Sequence, residues 1–197
     1  MSTKTNNPAA SAARVTLNNV RFSYLNVLEP RSINGSKPKY SACLIFSKED
    51  AETVKAVRYA IKAAYEAGSY KLTSGGRAVA LKDVHSPLHD GDIDKAGEEA
   101  YENSFYINAS SVEAPAVVNR HAVPVTSADE IHSGDYGNAV LTFYAYNAGD
   151  NKGIAAGLEG LQVVKRGPRL GGRLRAADLF SAVASADDDE DEEELPF

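Results

Sequence analysis

The chain has 197 residues, 43% of them hydrophobic and 24% charged, with one cysteine and no tryptophan. That length suits one folded domain with extensions, and a single Cys excludes intramolecular disulfides and Cys-rich zinc sites. Its 21 Lys and Arg stand against 27 Asp and Glu, and eight of those acids form one run near the end. Setting that run aside leaves 21 − 19 = +2, so the acidic chain has a mildly basic body.

The opening MSTKTNNPAASAA is small and polar, with no apolar core segment and no Arg-rich amphipathic pattern, and is expected to be a disordered arm over residues 1–13 rather than a signal or transit peptide. No apolar stretch approaches the roughly 20 residues that span a bilayer, so no membrane association is expected. Residues 14–25 (RVTLNNVRFSYL) alternate from Val15 to Leu17 and then change phase, predicting a strand with a bulge at Asn18-Asn19 and with Val20, Phe22 and Tyr24 on one face. Residues 39–47 (KYSACLIFS) follow the turn signal Asn34-Gly35 and read as a buried strand that includes Cys43, where a buried, inert thiol is expected. Ser47 is then placed to cap a helix. Glu49, Asp50 and Glu52 crowd its first turn, Val54, Val57, Ile61, Ala64 and Tyr65 recur at helical spacing, and Gly68 ends it.

Residues 73–102 carry several Gly, one Pro and many acids and are expected to be a loop-rich excursion. In FYINAS the residues Phe105, Ile107 and Ala109 alternate with Tyr106, Asn108 and Ser110, the period of a half-buried strand. Residues 115–125 hold two prolines among valines, as an edge segment does. AVLTFYAYN and GIAAGLEGLQVVKR flank AGDNKG and predict a hairpin over 139–165, with Gly153, Gly157 and Gly160 letting its second strand bend. Several short strands, one clear helix and no βαβ rhythm give a mainly β fold, a barrel or a sandwich.

The basic residues are segregated. Residues 1–48 hold Lys4, Arg14, Arg21, Arg31, Lys37, Lys39 and Lys48 against Glu29 alone, and Lys165, Arg166, Arg169, Arg173 and Arg175 fall within eleven residues without an acid. If Phe105, Ile107, Leu141 and Phe143 fill the core, Tyr106, Tyr144 and Tyr146 stand on the opposite sheet face. Tyrosines beside cations on an open sheet suit single-stranded nucleic acid, because bases stack on rings while Lys and Arg follow the phosphates. The expected phosphate contacts are Arg21, Lys37, Lys39, Lys152, Lys165 and Arg166. The expected stacking residues are Phe22, Tyr24, Tyr40, Tyr106, Tyr144 and Tyr146.

The order and spacing of VTLNNVRFSYLNVLEP, KYSACLIFSKED, SPLHDGD, YINASS, FYAYN and NKGIAAGLEGLQ, from about Val15 to Gly172, resemble the phage single-stranded DNA-binding proteins of the Enc-type enterobacteriophage group. The resemblance implies an OB-fold-like five-stranded barrel over residues 14–176. It also implies sequence-independent binding of single-stranded DNA in phage replication or recombination, in the cytoplasm of the infected host. Residues 177–197 form the expected disordered acidic tail. Its end, Asp187, Asp188, Asp189, Glu190, Asp191, Glu192, Glu193, Glu194, Leu195, Pro196 and Phe197, couples eight acids to an apolar hook. Such an end suits recruitment of replication or recombination proteins and competition with DNA for the basic body. Self-association is compatible with this reading. So are two alternatives, a strand-annealing recombination mediator and an adaptor whose basic clusters bind an acidic protein.

Catalysis is not expected, nor is a cofactor or a metal. His85, His89, Asp90, Asp92 and Asp94 lie close together, but DGDID lacks the Gly position and terminal Glu of a calcium loop, and Pro87 and Gly91 account for it as a turn. Gly75-Gly76-Arg77 and Gly171-Gly172-Arg173 lack the Gly-Lys-Ser/Thr ending of a phosphate loop, and four scattered His with one Cys form no triad.

Overall fold

The computed structural model describes residues 12–32, 35–148 and 151–171. Strands β1 (Arg14–Arg31), β2 (Lys39–Ser47), β6 (Ser104–Ser111), β8 (Tyr136–Ala148) and β9 (Asn151–Lys165) form a closed mixed barrel, because β1 pairs with both β2 and β8 while β6 closes onto β9 in parallel. Around this barrel lie helix α1 (Ala51–Gly68), the two-residue strands β3 (Thr73–Ser74) and β4 (Arg77–Ala78), strand β5 (Leu88–Asp90), the short helix α2 (Gly91–Asp94) and strand β7 (Ala116–Val118). β5 adds to β6, and β7 lies parallel to the edge of β9, where the prolines predicted an edge. The fold is mainly β: a five-stranded barrel with one main helix.

β1 can belong to both halves of the barrel because it bends twice. Its register on β8 shifts between Leu17 and Val20, with Asn19 at φ 52°, so the Asn pair is the expected bulge. A second shift on β2 falls between Ser23 and Asn26, with Tyr24 at φ 47°. This second bulge corrects the sequence expectation for the strand. Val20 and Phe22 point into the core, but Tyr24 is turned out of their face and is 61% exposed.

Inside the barrel, Leu17, Phe22, Leu44, Ile107, Leu141, Phe143 and Ile154 are fully buried, each contributing about 1.5–3 kcal/mol by leaving water. α1 closes one side of this core with Val57, Ala60, Ile61 and Ala64. Its N-cap is Asp50, whose carboxylate accepts from the Thr53 amide at 3.0 Å; Ser47 instead accepts from Glu49 in the preceding turn. A carboxylate at the positive end of the helix supplies both a hydrogen bond and a favourable dipole interaction, which explains why Asp50 takes the position expected for Ser47. At the other end Gly68 packs directly on β8, where an added Cβ would sit 2.3 Å from that of Ala145.

The 73–102 stretch is more ordered than its composition suggested. The Lys48 ammonium reaches Asp90 at 2.5 Å and Asp92 at 2.7 Å, and Asp92 also accepts from the Asn103 amide at 2.8 Å. The ion-paired hydrogen bond from Lys48, with the Asn103 amide, holds the Asp92 carboxyl below the usual carboxylate range. These acids therefore tie α2 to the start of α1. Among the described residues no group of three or more His, Cys, Asp and Glu is placed to hold a metal, and no helix is long and apolar enough to cross a membrane.

Candidate nucleic-acid interface

Strand alternation gives β2 two different faces. Ala42, Leu44 and Phe46 point into the main core, whereas Cys43 and Ile45 point outward and are roofed by Tyr101 and Tyr106 in a small second cluster. Burial pushes the Cys43 thiol up to about 11. Along the same outer face, beyond this roof, the surface becomes polar and fine-grained: the Asn26 amide donates to the Ser41 hydroxyl at 3.1 Å, and Ser41 lies opposite Ser110 of β6. Ser110 lies in turn beside Gly157 of β9, and Gly157 opposite Thr142 of β8. Small residues thus make a continuous shallow floor around this side of the barrel.

An open groove of about 1010 Å³ runs along the β1 side of that floor. Arg21, Tyr24 and Arg31 of β1 line it, facing Glu98–Tyr101 on one side and Pro168–Gly171 on the other. The Tyr24 ring is delivered into it by the second bulge, with the Lys95 ammonium 5.5 Å from the ring centroid. Lys95 is paired with Glu98 at 3.0 Å. Arg21 is held in place without a counter-charge. Its Nη2 donates to the Pro168 carbonyl at 3.2 Å, its guanidinium lies 5.5 Å from the Tyr136 ring centroid, and its Nε is buried with no hydrogen-bond partner. No carboxylate forms an ion pair with Arg21 among the described residues.

The wall that positions Arg21 is built on Asp135, which is fully buried. Asp135 accepts from Arg166 Nη1 at 3.0 Å, from the His132 amide at 2.9 Å and from the Gly167 amide at 3.3 Å, with His132 Nε2 at 3.2 Å. Its own backbone carbonyl accepts from the Phe22 amide, and the Gly134 amide donates to the Phe22 carbonyl. Gly134, at φ 111°, is where the two segments touch: an added Cβ would lie 2.0 Å from the Pro168 carbonyl oxygen. The buried carboxylate thereby clamps the Arg166–Leu170 segment against β1.

Several sequence-derived candidates come together here and others do not. Arg21 and Tyr24 line the groove, and Lys39 lies opposite Arg31 across the β1–β2 pair, with Lys37 exposed in the connection and Tyr40 partly buried opposite Ser111. Phe22 is a correction, because it is 0% exposed in the core and presents no face to a base. Tyr106 is a second. Its ring is stacked on His89 with centroids 4.8 Å apart and meets Tyr101 edge-on at 5.4 Å, and burial raises its hydroxyl pKa. Arg166 is held at both Nη atoms, one by Asp135 and the other by the Asp129 carbonyl at 2.6 Å, with its side chain 50% exposed.

Tyr144 and Tyr146 stand on the outer face of β8 opposite Ala155 and Gly153, Tyr144 being 46% exposed, at the far side of the small-residue floor. Lys152 donates to the Thr73 carbonyl at 2.7 Å, and Lys165 is exposed at the end of β9. Arg173, Arg175, Asn34, the Gly149-Asp150 turn, residues 1–11 of the N-terminal arm and the tail from Asp187 to Phe197 lie outside the described residues, whereas Ala13, expected to belong to the arm, is buried in the core and its carbonyl accepts from the Phe143 amide. Two cations at the groove were not among the candidates, Arg31 in its lining and Lys95 beside the Tyr24 ring. Arg31 could have been found from its place flanking the β1–β2 connection, whereas Lys95 is hidden in an acidic loop.

A family model described as "Enterobacter phage Enc34, ssDNA-binding protein" matches residues 13–194. The chain belongs to this family. Its function is single-stranded DNA binding and not catalysis. In sequence the chain is similar to the p50 protein of Acyrthosiphon pisum secondary endosymbiont phage 1, with 27% identity over 182 residues covering 90% of this chain and 97% of that protein. In structure it is similar to the single-stranded DNA-binding protein of bacteriophage Enc34 solved in complex with ssDNA, with a TM-score of 0.67, 25% identity and coverage of 81% and 90% of the two chains. It also shares its fold with gp2.5, a single-stranded DNA-binding protein of bacteriophage T7, at a TM-score of 0.52 and 13% identity over 93% and 98% of the chains. The five-stranded barrel with one main helix is the OB-fold shared with phage single-stranded DNA-binding proteins.

Proposed function

We propose that the barrel binds single-stranded DNA without sequence preference along the β1–β2–β6 face, and that it coats and protects the strand during phage DNA replication or recombination in the cytoplasm of the infected bacterium. Arg21 carries this reading. It is a cation fixed by a ring and a carbonyl at the wall of an open groove, with no carboxylate paired to it among the described residues, and Tyr24 is exposed beside it. A phosphate oxygen would supply the counter-charge that the guanidinium lacks and a base would cover the ring, each through chemistry common to all four nucleotides. Arg31, Lys37 and Lys39 extend the positive charge toward the β1–β2 connection, where Tyr40 lies partly buried on the other face of β2, and Tyr144 and Tyr146 offer further rings along the small-residue floor. In this reading the domain is residues 14–176. Residues 177–197 then act as a tail whose acids compete with DNA and whose Leu195-Pro196-Phe197 end recruits replication or recombination proteins.

The test is a titration of fluorescent oligo-dT, oligo-dA, duplex and RNA ligands across salt, with the full chain and with a chain ending before Asp187. Binding of both deoxy-oligomers well above duplex, weakening with salt at about −0.7 in log–log slope per phosphate contacted, supports the reading. Loss of the tail is expected to tighten binding at low salt, because an intramolecular anion has gone. Equal affinity for duplex and single strand would refute the proposed mode.

A further inference from the structure

The groove beside β1 has walls of opposite charge. Residues 165–171 carry Lys165, Arg166 and Arg169 with no acid, and β1 adds Arg21 and Arg31 to the lining. The facing wall belongs to residues 90–102, which hold six acids against Lys95 alone. Asp90 and Asp92 are engaged by Lys48, and Glu98 is paired with Lys95 at 3.0 Å. Glu99 lines the groove beside Glu98, exposed and with no ion pair among the described residues. Attraction of a polyanion does not account for carboxylates at this place, since each repels a phosphate. The backbone that carries them is anchored to the barrel. Tyr101, 2% exposed, donates its hydroxyl to Ser23 of β1 at 3.2 Å, and its amide donates to the Glu98 carbonyl at 2.8 Å. The Lys95 ammonium lies 5.5 Å from the Tyr24 ring centroid and 5.6 Å from that of Tyr101, so the acidic wall stands directly beside the exposed ring of the groove.

We propose that Glu98 and Glu99 make this groove selective for one strand over two, by repelling the second backbone of a duplex. The inference rests on the reading that DNA lies in this groove. A single strand sets its one row of phosphates along Arg21 and Arg31 and turns its bases toward Tyr24 and the acidic wall, where they bring no charge. A duplex carries a second row of phosphates across a groove about 6 or about 12 Å wide, so keeping one row on the arginines brings the other toward the carboxylates. A carboxylate about 7 Å from a phosphate in water weakens binding by a factor of roughly three at low salt, and two of them by about ten. The effect is screened as the Debye length falls from about 30 Å at 0.01 M salt to about 8 Å at 0.15 M. Selection by repulsion of the wrong ligand needs no contact with any base edge, and so suits a site that does not read sequence.

Titrations of labelled oligo-dT and of a hairpin duplex test it, with the full chain throughout, in wild type, Glu99→Gln, Glu98→Gln/Glu99→Gln and the control Glu52→Gln/Glu66→Gln on α1. All four positions are exposed, so folding is retained. At low salt the ratio of duplex to oligo-dT affinity is expected to rise about threefold in Glu99→Gln and about tenfold in the double variant, and to return toward the wild-type value as salt is raised. Releasing Lys95 from Glu98 strengthens both ligands alike, so the ratio reports the carboxylates. The control removes the same two charges outside the groove and is expected to leave the ratio in place. A ratio unchanged in Glu98→Gln/Glu99→Gln, or one that rises as much in the control, would overturn the proposal. A wild-type chain with no preference for oligo-dT over duplex would overturn the proposed function with it, whereas a preference that survives the double variant overturns this inference alone.

Discussion

Asp135 gives the sharpest test of how the groove wall is held. Replacing it with Ala removes the acceptor for Arg166 Nη1, the His132 amide and the Gly167 amide at once. Breaking a buried ion pair costs about 3–5 kcal/mol when the surviving charge stays buried, but the Arg166 side chain is 50% exposed and regains water. The main cost is then the two stranded amides, about 1–3 kcal/mol each, so a loss of about 3 kcal/mol is expected. Asp135→Asn keeps one carbonyl oxygen and should lose roughly half as much. Arg166→Met leaves the Asp135 carboxylate buried without its guanidinium, held only by His132 and the two amides, and should cost about 3–5 kcal/mol. Because both residues share one hydrogen bond, the double variant should be less unstable than the sum by about 0.5–3 kcal/mol. Equilibrium urea unfolding measures all four, with an unchanged m-value showing that the unfolded state is unaffected. A loss below about 1 kcal/mol for Asp135→Ala would refute the clamp. A normally stable Arg166→Met whose DNA binding has a shallower salt slope would return Arg166 to the role of phosphate contact.

Other expectations follow from the same geometry. Tyr24→Ala should weaken oligo-dT binding by about 1–3 kcal/mol, the worth of a stacked base, whereas Tyr106→Phe should leave the affinity unchanged; anisotropy titrations at one salt concentration compare them. Native Cys43, buried and with its pKa raised to about 11, should resist iodoacetamide at pH 8 and react fully once urea unfolds the chain, as mass spectrometry would show. Asp50→Ala should destabilise by about 0.5–2 kcal/mol through loss of the α1 cap. The hydrogen bond from Thr53 lowers the Asp50 pKa in the folded state. Its stabilising contribution is therefore complete above the unfolded-state value, about 3.9, and is lost as pH falls through the lower folded value. The difference between wild type and Asp50→Ala should narrow in urea titrations carried from pH 6 toward pH 2.

The sequence made the barrel legible wherever a single period ran through a strand. β6 and β8 alternate cleanly, so Ile107, Leu141 and Phe143 were readable as core, and the Asn18-Asn19 break announced the first bulge. The second bulge carried no such mark. Nothing in RFSYL requires Tyr24 to take a positive φ; the turn is imposed by the 131–135 segment, whose Gly134 and Asp135 bond to Phe22 from more than 100 residues away. That long-range contact is why Phe22 and Tyr24, assigned to one face from spacing, lie on opposite sides. Tyr106 failed as a stacking residue for a related reason. Its strand position does point it out of the barrel, but the single 3-10 turn at Glu99–Tyr101 folds back to roof it, and an irregular segment of that kind has no period to read. Charge was legible in amount but not in pairing: Arg21 and Arg166 look alike in sequence, and only the buried carboxylate of Asp135 gives one of them an ion pair.

Whether single-stranded DNA follows the cationic groove beside β1 is decided by the salt dependence of the double variant Arg21→Met/Arg31→Met. Oligo-dT affinity measured from low to moderate salt should fall well below that of the wild-type chain, with a log–log slope shallower by about 1.4, two phosphates at about 0.7 each, and with urea stability retained. A double variant that binds with wild-type affinity and wild-type slope would contradict the claim and place the strand on another face of the barrel.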